Sequence, residues 1–172
     1  MRTLILALGT AGALTAAALT PAAAQDAASG TVINAEGAEI GTVSFQQTPH
    51  GVLITADVEG LPEGVHGFHI HETGACDAAE GFSTAGGHYA GGKEHGFLVD
   101  AGPHAGDMPN VHVGADGHLA IEVLNTFVSV DGDMNPLLDD DGSALMIHAG
   151  ADDYQSAPSG DAGGRIACAV IE

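Results

Sequence analysis

Positive charge is nearly missing from this sequence. Its 172 residues hold three Lys and Arg together against 23 Asp and Glu, a formal net charge of −20 at neutral pH. A field this negative argues against nucleic acid and anionic membrane surfaces as partners. Long apolar runs are missing too: after the first segment, none is long enough to span a bilayer. Cysteine is limited to Cys76 and Cys168. No internal repeat, interdomain linker or helical period breaks up the chain after its first segment, and the length fits one domain.

The first segment, MRTLILALGTAGALTAAALTPAAAQ, has basic Arg2, an apolar run from Leu4 to Leu19 and small residues from Ala22 to Ala24. This is the layout of a secretory signal peptide occupying residues 1–24, cleaved after Ala24. Its Ala-rich core is interrupted by Gly and Thr and stops at Pro21, which favours cleavage over membrane anchoring. The domain is then 25–172, exported, with only Lys93 and Arg165 as fixed cations. Outside the cytosol an even pair of cysteines suggests a disulfide, with two free thiols or metal ligands as the alternative.

The exported part reads as all-β, because its apolar and β-branched runs are short and separated by Gly, Asp and Pro. The expected strands are 31–35, 40–47, 52–58, 67–72, 111–113, 119–126, 144–148 and 166–171. Turns fall at TPHG, LPEG and GADG, and Gln25–Ser29 reads as a mobile tail. Three stretches are loops: the Gly-rich 73–110, the acidic 131–142 and 152–164. Loops this long in a compact domain usually carry function. The run DDDG looks like part of a calcium loop but lacks the alternating ligands of an EF-hand, so it reads as solvated.

Ten histidines stand out against so few other functional side chains. In HGFHIHETGAC, a strand would put His69 and His71 on one face, able to converge on one ion. Phe68 and Ile70 would face the core, and His66 shares their side. His95, His104 and Asp107 lie in one loop, with Asp107 three residues past His104. Imidazole alone suits copper, and imidazole with carboxylate suits zinc. His88 and His148 complete the candidate ligands. His50, His66, His112 and His118 read as structural or surface histidines, with a loose extra site at His112 and His118 left open.

The motifs GFHIHETGAC, AGGHY, HAGD, HAGADD and GGRIACAVI occur in the order found in one family. The chain resembles the copper,zinc superoxide dismutases of the exported bacterial type, from about Gly30 to the C-terminus. The resemblance implies an eight-stranded Greek-key β-barrel and dismutation of superoxide to dioxygen and hydrogen peroxide. It implies copper on His69, His71, His88 and His148, and zinc on His88, His95, His104 and Asp107, with His88 bridging both. It makes Arg165 the guide for the anion, Asp152 the link between a ligand of each metal, and Cys76–Cys168 the disulfide. It favours the periplasm and admits a homodimer.

Two features depart from the family pattern. YAGGKE between His88 and His95 is short and lacks the usual proline, and GFLVD replaces the usual Gly-Pro after His95. The family's steering lysines are also missing, which implies weak or local guidance of superoxide. The competing reading is an exported copper- and zinc-binding protein for storage or delivery, without turnover. Arg165 and a complete zinc set favour the enzyme, since storage needs neither.

Overall fold

The computed structural model describes residues 27–172; the expected signal peptide lies outside them. Nine strands form: β1 (Ala27–Asn34), β2 (Glu39–Thr48), β3 (Gly51–Val58), β4 (Gly64–His66), β5 (Phe68–His71), β6 (Val111–Val113), β7 (Leu119–Asn125), β8 (Ser143–His148) and β9 (Arg165–Ile171). Among the described residues the only helical pieces are two 3₁₀ turns, Ala78–Glu80 and Ser83–Ala85, both in the long loop. Seven strands make one antiparallel sheet in the order β5-β8-β9-β1-β2-β3-β7, and β4 pairs with β6. The β4-β6 ribbon leads by chain into both edge strands, so the sheet curls toward closure as a barrel.

The expectation of eight strands changes at one point. The stretch expected as a single strand, 67–72, begins earlier and divides at Gly67. Residues before Gly67 pair with β6 and residues after it with β8. Gly67 N–H donates to Gly150 O at 2.8 Å, and Gly67 O accepts from His148 N at 2.9 Å. A Cβ there would lie 3.0 Å from both Ala162 Cβ and the His69 ring. The chain turns a barrel corner where only glycine fits this closely. The expected mobile tail is also corrected, since Ala27, Ala28 and Ser29 pair with Gln46, Phe45 and Ser44. Ala28 is buried there, and Ser29 exchanges two backbone hydrogen bonds with Glu172.

Alternation builds the core. Val32, Val43, Phe45, Val52, Ile54 and Val58 point inward from β1–β3, and the residue after each of them faces outward, exposed or half-buried. In β5 the inward residues are Phe68 and Ile70, as the period of two requires. Strands β5 and β8 are buried at every position, so both of their faces are covered. Inside, Leu145 and Ile147 of β8 join the barrel core. Outside, Ala144 and Met146 pack with Phe82, Ala85 and Cys168 under the loop that follows β5. A buried layer thus lies between barrel wall and loop, and His69 and His71 face it.

The roof is fastened covalently by a disulfide between Cys76 and Cys168, 92 residues apart. In the chain-entropy account, a closure of this length stabilises by roughly 4–5 kcal/mol at most. Replacing both cysteines by alanine should therefore lower the free energy of urea unfolding by several kcal/mol, about 4–5 at the upper end. An unchanged unfolding midpoint would show that packing of Phe82 and Ala85 alone holds the roof.

Candidate metal centre

Strand β5 presents His69 and His71 to the covered layer, and the end of β8 presents His148. The roofing loop supplies His88, His95, His104 and Asp107, two of them through isolated bridges, His71 with His88 and His69 with Asp107. These side chains form two groups that share His88. In the first, one ligand atom from each of His69, His88 and His148 lies within 4.8 Å of the others. In the second, His88, His95, His104 and Asp107 meet the same limit. His71 stands beside the first group, its Nε2 3.4 Å from His148 Nε2.

Most of these rings are held by the nitrogen that faces away. His69 Nε2 donates to Asp152 Oδ2 at 2.8 Å, and His95 Nε2 donates to Asp152 Oδ1 at 3.1 Å. His71 Nδ1 donates to Gly86 O at 3.1 Å and His148 Nδ1 to Gly163 O at 3.3 Å. Metal-binding histidines are characteristically held in this way. A neutral imidazole has one N–H. In the His71 and His148 rings, which burial keeps neutral, the remaining nitrogen therefore carries a bare lone pair. Those of His71 and His148 face each other, and His69 Nδ1 and His88 Nε2 are buried with no partner.

Protonation does not relieve the crowding. Burial, followed by the charges of His88 and Arg165, lowers His71 to about 2. Burial lowers His148 to about 3 and His88 to about 4, with His69 adding to both effects. Lone pairs that converge, shielded from water and unable to take protons, fit a cation. In the second group Asp107 Oδ1 lies 3.0 Å from His88 Nδ1, 3.1 Å from His95 Nδ1 and 3.4 Å from His104 Nδ1. Its Oδ2 accepts from Gly96 N and His104 N. Burial pushes the Asp107 carboxyl up, but contacts with His104, His88, Gly96 N–H and His95 hold it well below its ordinary range. His95 is held between two carboxylates, with Nδ1 toward Asp107 and Nε2 toward Asp152. Three imidazoles with one carboxylate suit zinc, and imidazoles alone suit copper.

Above the first group lies a cavity of about 210 Å³ lined by His71, His88, His148 and Arg165. The Arg165 guanidinium donates to Phe82 O and Gly86 O. Among the described residues no carboxylate pairs with it, so its charge is left for a ligand. A larger cavity, about 450 Å³, is lined by Glu72, Asp139 and Asp141 and repels anions.

The structure brings together every ligand expected from sequence, and it seats Asp152 between the two groups. His95, in the segment that departs from the family pattern, is fully buried with both nitrogens engaged. Of the histidines set aside, buried His66 bonds to His148 O and Pro62 O, and exposed His118 pairs with Asp57. His112 and His118 belong to neither group, and neither do the aspartates of 131–142. The carbonyls of Phe82, Gly86 and Gly163 were not foreseen, because a backbone acceptor has no signature in the sequence.

Residues 39–171 match the family described as copper/zinc superoxide dismutase (SODC). Superoxide dismutase (Cu-Zn) 1 of Aquifex aeolicus is 46% identical over 144 residues, covering 82% of this chain and 85% of that one. Superoxide dismutase (Cu-Zn) 2 of the same organism is 48% identical over 143 residues, covering 81% and 83%. A solved SOD-like protein from Bacillus subtilis superposes with a TM-score of 0.79 at 38% identity, over 84% of this chain and 97% of that one. A match through nearly all of the barrel, joined to two ligand groups that share one histidine, shows that the chain belongs to the copper/zinc superoxide dismutase family.

Proposed function

We infer that this chain dismutes superoxide to dioxygen and hydrogen peroxide, using copper and zinc. The observation that carries the reading is His88, a single buried ring common to an all-imidazole group and an imidazole–carboxylate group. We assign copper to His69, His71, His88 and His148, and zinc to His88, His95, His104 and Asp107. Bound copper supplies the one-electron redox change that the reaction needs, and zinc a fixed charge beside His88. Asp152 orients His69 and His95 together. Arg165 binds the superoxide anion at the cavity, held there by two carbonyls. The His88 ring lines the same cavity, beside the Arg165 guanidinium.

Arg165 and Lys93 are the only fixed cations after residue 24, so attraction of the anion is local. Arg165→Ala should lower the rate of superoxide loss, followed directly by absorbance, by about 10-fold to 10³-fold with copper and zinc content unchanged. The wild-type rate should depend only weakly on salt, and a steep fall with added salt would contradict local guidance. A fully metallated protein with no rate above background would sink the dismutase reading and favour copper storage.

Acid should unfold the metal-free protein. His71, His88 and His148 titrate lower in the fold than their ordinary value of 6.5. Below pH 6.5 the unfolded chain therefore binds more protons, and stability falls with pH. The loss should reach roughly 1 kcal/mol or more per pH unit between about pH 6 and pH 4. Urea unfolding of chelator-treated protein across that range measures it, and a flat profile would contradict the burial of neutral rings.

We further propose cleavage after Ala24, a periplasmic location and a homodimer. The Cys76–Cys168 disulfide supports an oxidising compartment. Exposed Phe97, Leu124 and Phe127, which line one shallow cavity, support pairing. The periplasmic fraction should yield protein that starts at Gln25 and sediments at twice its chain mass. A cytosolic, uncleaved monomer would overturn these assignments.

A further inference from the structure

We propose that Asn110 is a positioning residue for the metal centre, fixing Asp152 as the link between its two halves. The proposal rests on the assignment of zinc to His88, His95, His104 and Asp107. Asn110 ends the long loop, immediately before β6. Its side chain grips the Asp152 backbone from both sides: Nδ2 donates to Asp152 O at 2.8 Å, and Oδ1 accepts from Asp152 N at 2.8 Å. This is one rung of an antiparallel ladder, made with a side-chain amide in place of a strand. The rung is itself anchored, because Asn110 N donates to the Tyr154 hydroxyl at 2.8 Å.

Tyr154 closes the circuit. Its backbone N–H donates to Asp152 Oδ1 at 2.6 Å. The carboxylate thus accepts from Tyr154 N, His69 Nε2 and His95 Nε2, while Asn110 satisfies both backbone groups of Asp152. Only an amide of this length does both: aspartate lacks the donor, and alanine lacks donor and acceptor. Gly160 keeps the space clear. A Cβ there would stand 1.8 Å from Asp152 Oδ1 and 2.8 Å from His95 Nε2. With its backbone gripped, Asp152 cannot turn toward one histidine at the expense of the other. Asn110 makes no hydrogen bond to a metal ligand itself, so its effect on metal affinity passes through Asp152.

A double-mutant cycle on zinc affinity tests this. Zinc alone is titrated into the copper-free, disulfide-bonded protein against a competing chelator, for the wild type, Asn110→Ala, Asp152→Ala and the double variant. Asn110→Ala should weaken zinc binding about 10-fold to 100-fold, the usual loss when a partner behind a metal ligand is removed. In the Asp152→Ala background the same change should cost almost nothing, because its route is already gone. Asn110→Asp, which keeps only the acceptor, should fall between wild type and Asn110→Ala, and it carries the cycle if the alanine variant does not fold. Unchanged zinc affinity in the folded variants, or an equal loss in both backgrounds, would reduce Asn110 to a loop brace and overturn the proposal. A wild type that takes up no zinc would overturn the zinc assignment first, in a measurement that does not involve Asn110.

Discussion

Bare imidazole lone pairs, buried and aimed at one another, are the constraint on which this structure depends. A single buried polar atom without a partner costs about 1–3 kcal/mol. His69 Nδ1, His88 Nε2 and His104 Nδ1 are all without a hydrogen-bond partner. The barrel tolerates them because the cluster is fixed from behind by carbonyls and carboxylates, which set the tautomers and prevent the rings from swinging away. Asp152 fixes two rings at once, and the backbone carbonyls of Gly86 and Gly163 fix two more. The fold therefore keeps its ligands in a strained arrangement that a metal ion relieves.

The charge distribution follows a similar economy. The surface is dominated by carboxylates, so a small anion gains little from the protein at long range. Arg165 supplies attraction only at the last step, and its two bonds go to backbone oxygens rather than to acids. A carboxylate partner would have neutralised the charge the substrate needs. The roofing loop therefore does more than supply ligands: through Phe82 and Gly86 it also aims the guanidinium.

Most of the centre was legible because its chemistry is carried by side chains at fixed spacing. His69 and His71, two residues apart in a strand, share a face while Phe68 and Ile70 fill the core. The ordered motifs brought in His88, His148 and the zinc set. Elements defined by backbone contacts were not legible. Gly67 reads as one more strand residue until the chain is seen to change partners there. Ala27–Ser29 reads as a tail because its small side chains say nothing about the strand it pairs with. Asn110 reads as the end of a loop, since its two bonds reach a residue 42 positions away.

Strand β9 comes last of the nine strands in chain order, yet it lies in the middle of the seven-stranded sheet, between β8 and β1. Until it is made, the sheet exists as two unconnected pieces, β5 with β8 and β1 with β2, β3 and β7. The same strand carries Arg165 and Cys168, and Glu172 just beyond it pairs with Ser29 at the other end. A chain without β9 therefore has neither a closed barrel nor a crosslink nor a complete anion site. A chain that lacks only this strand carries every metal ligand, yet it leaves β8 and β1 as open edges, available to proteases and chaperones.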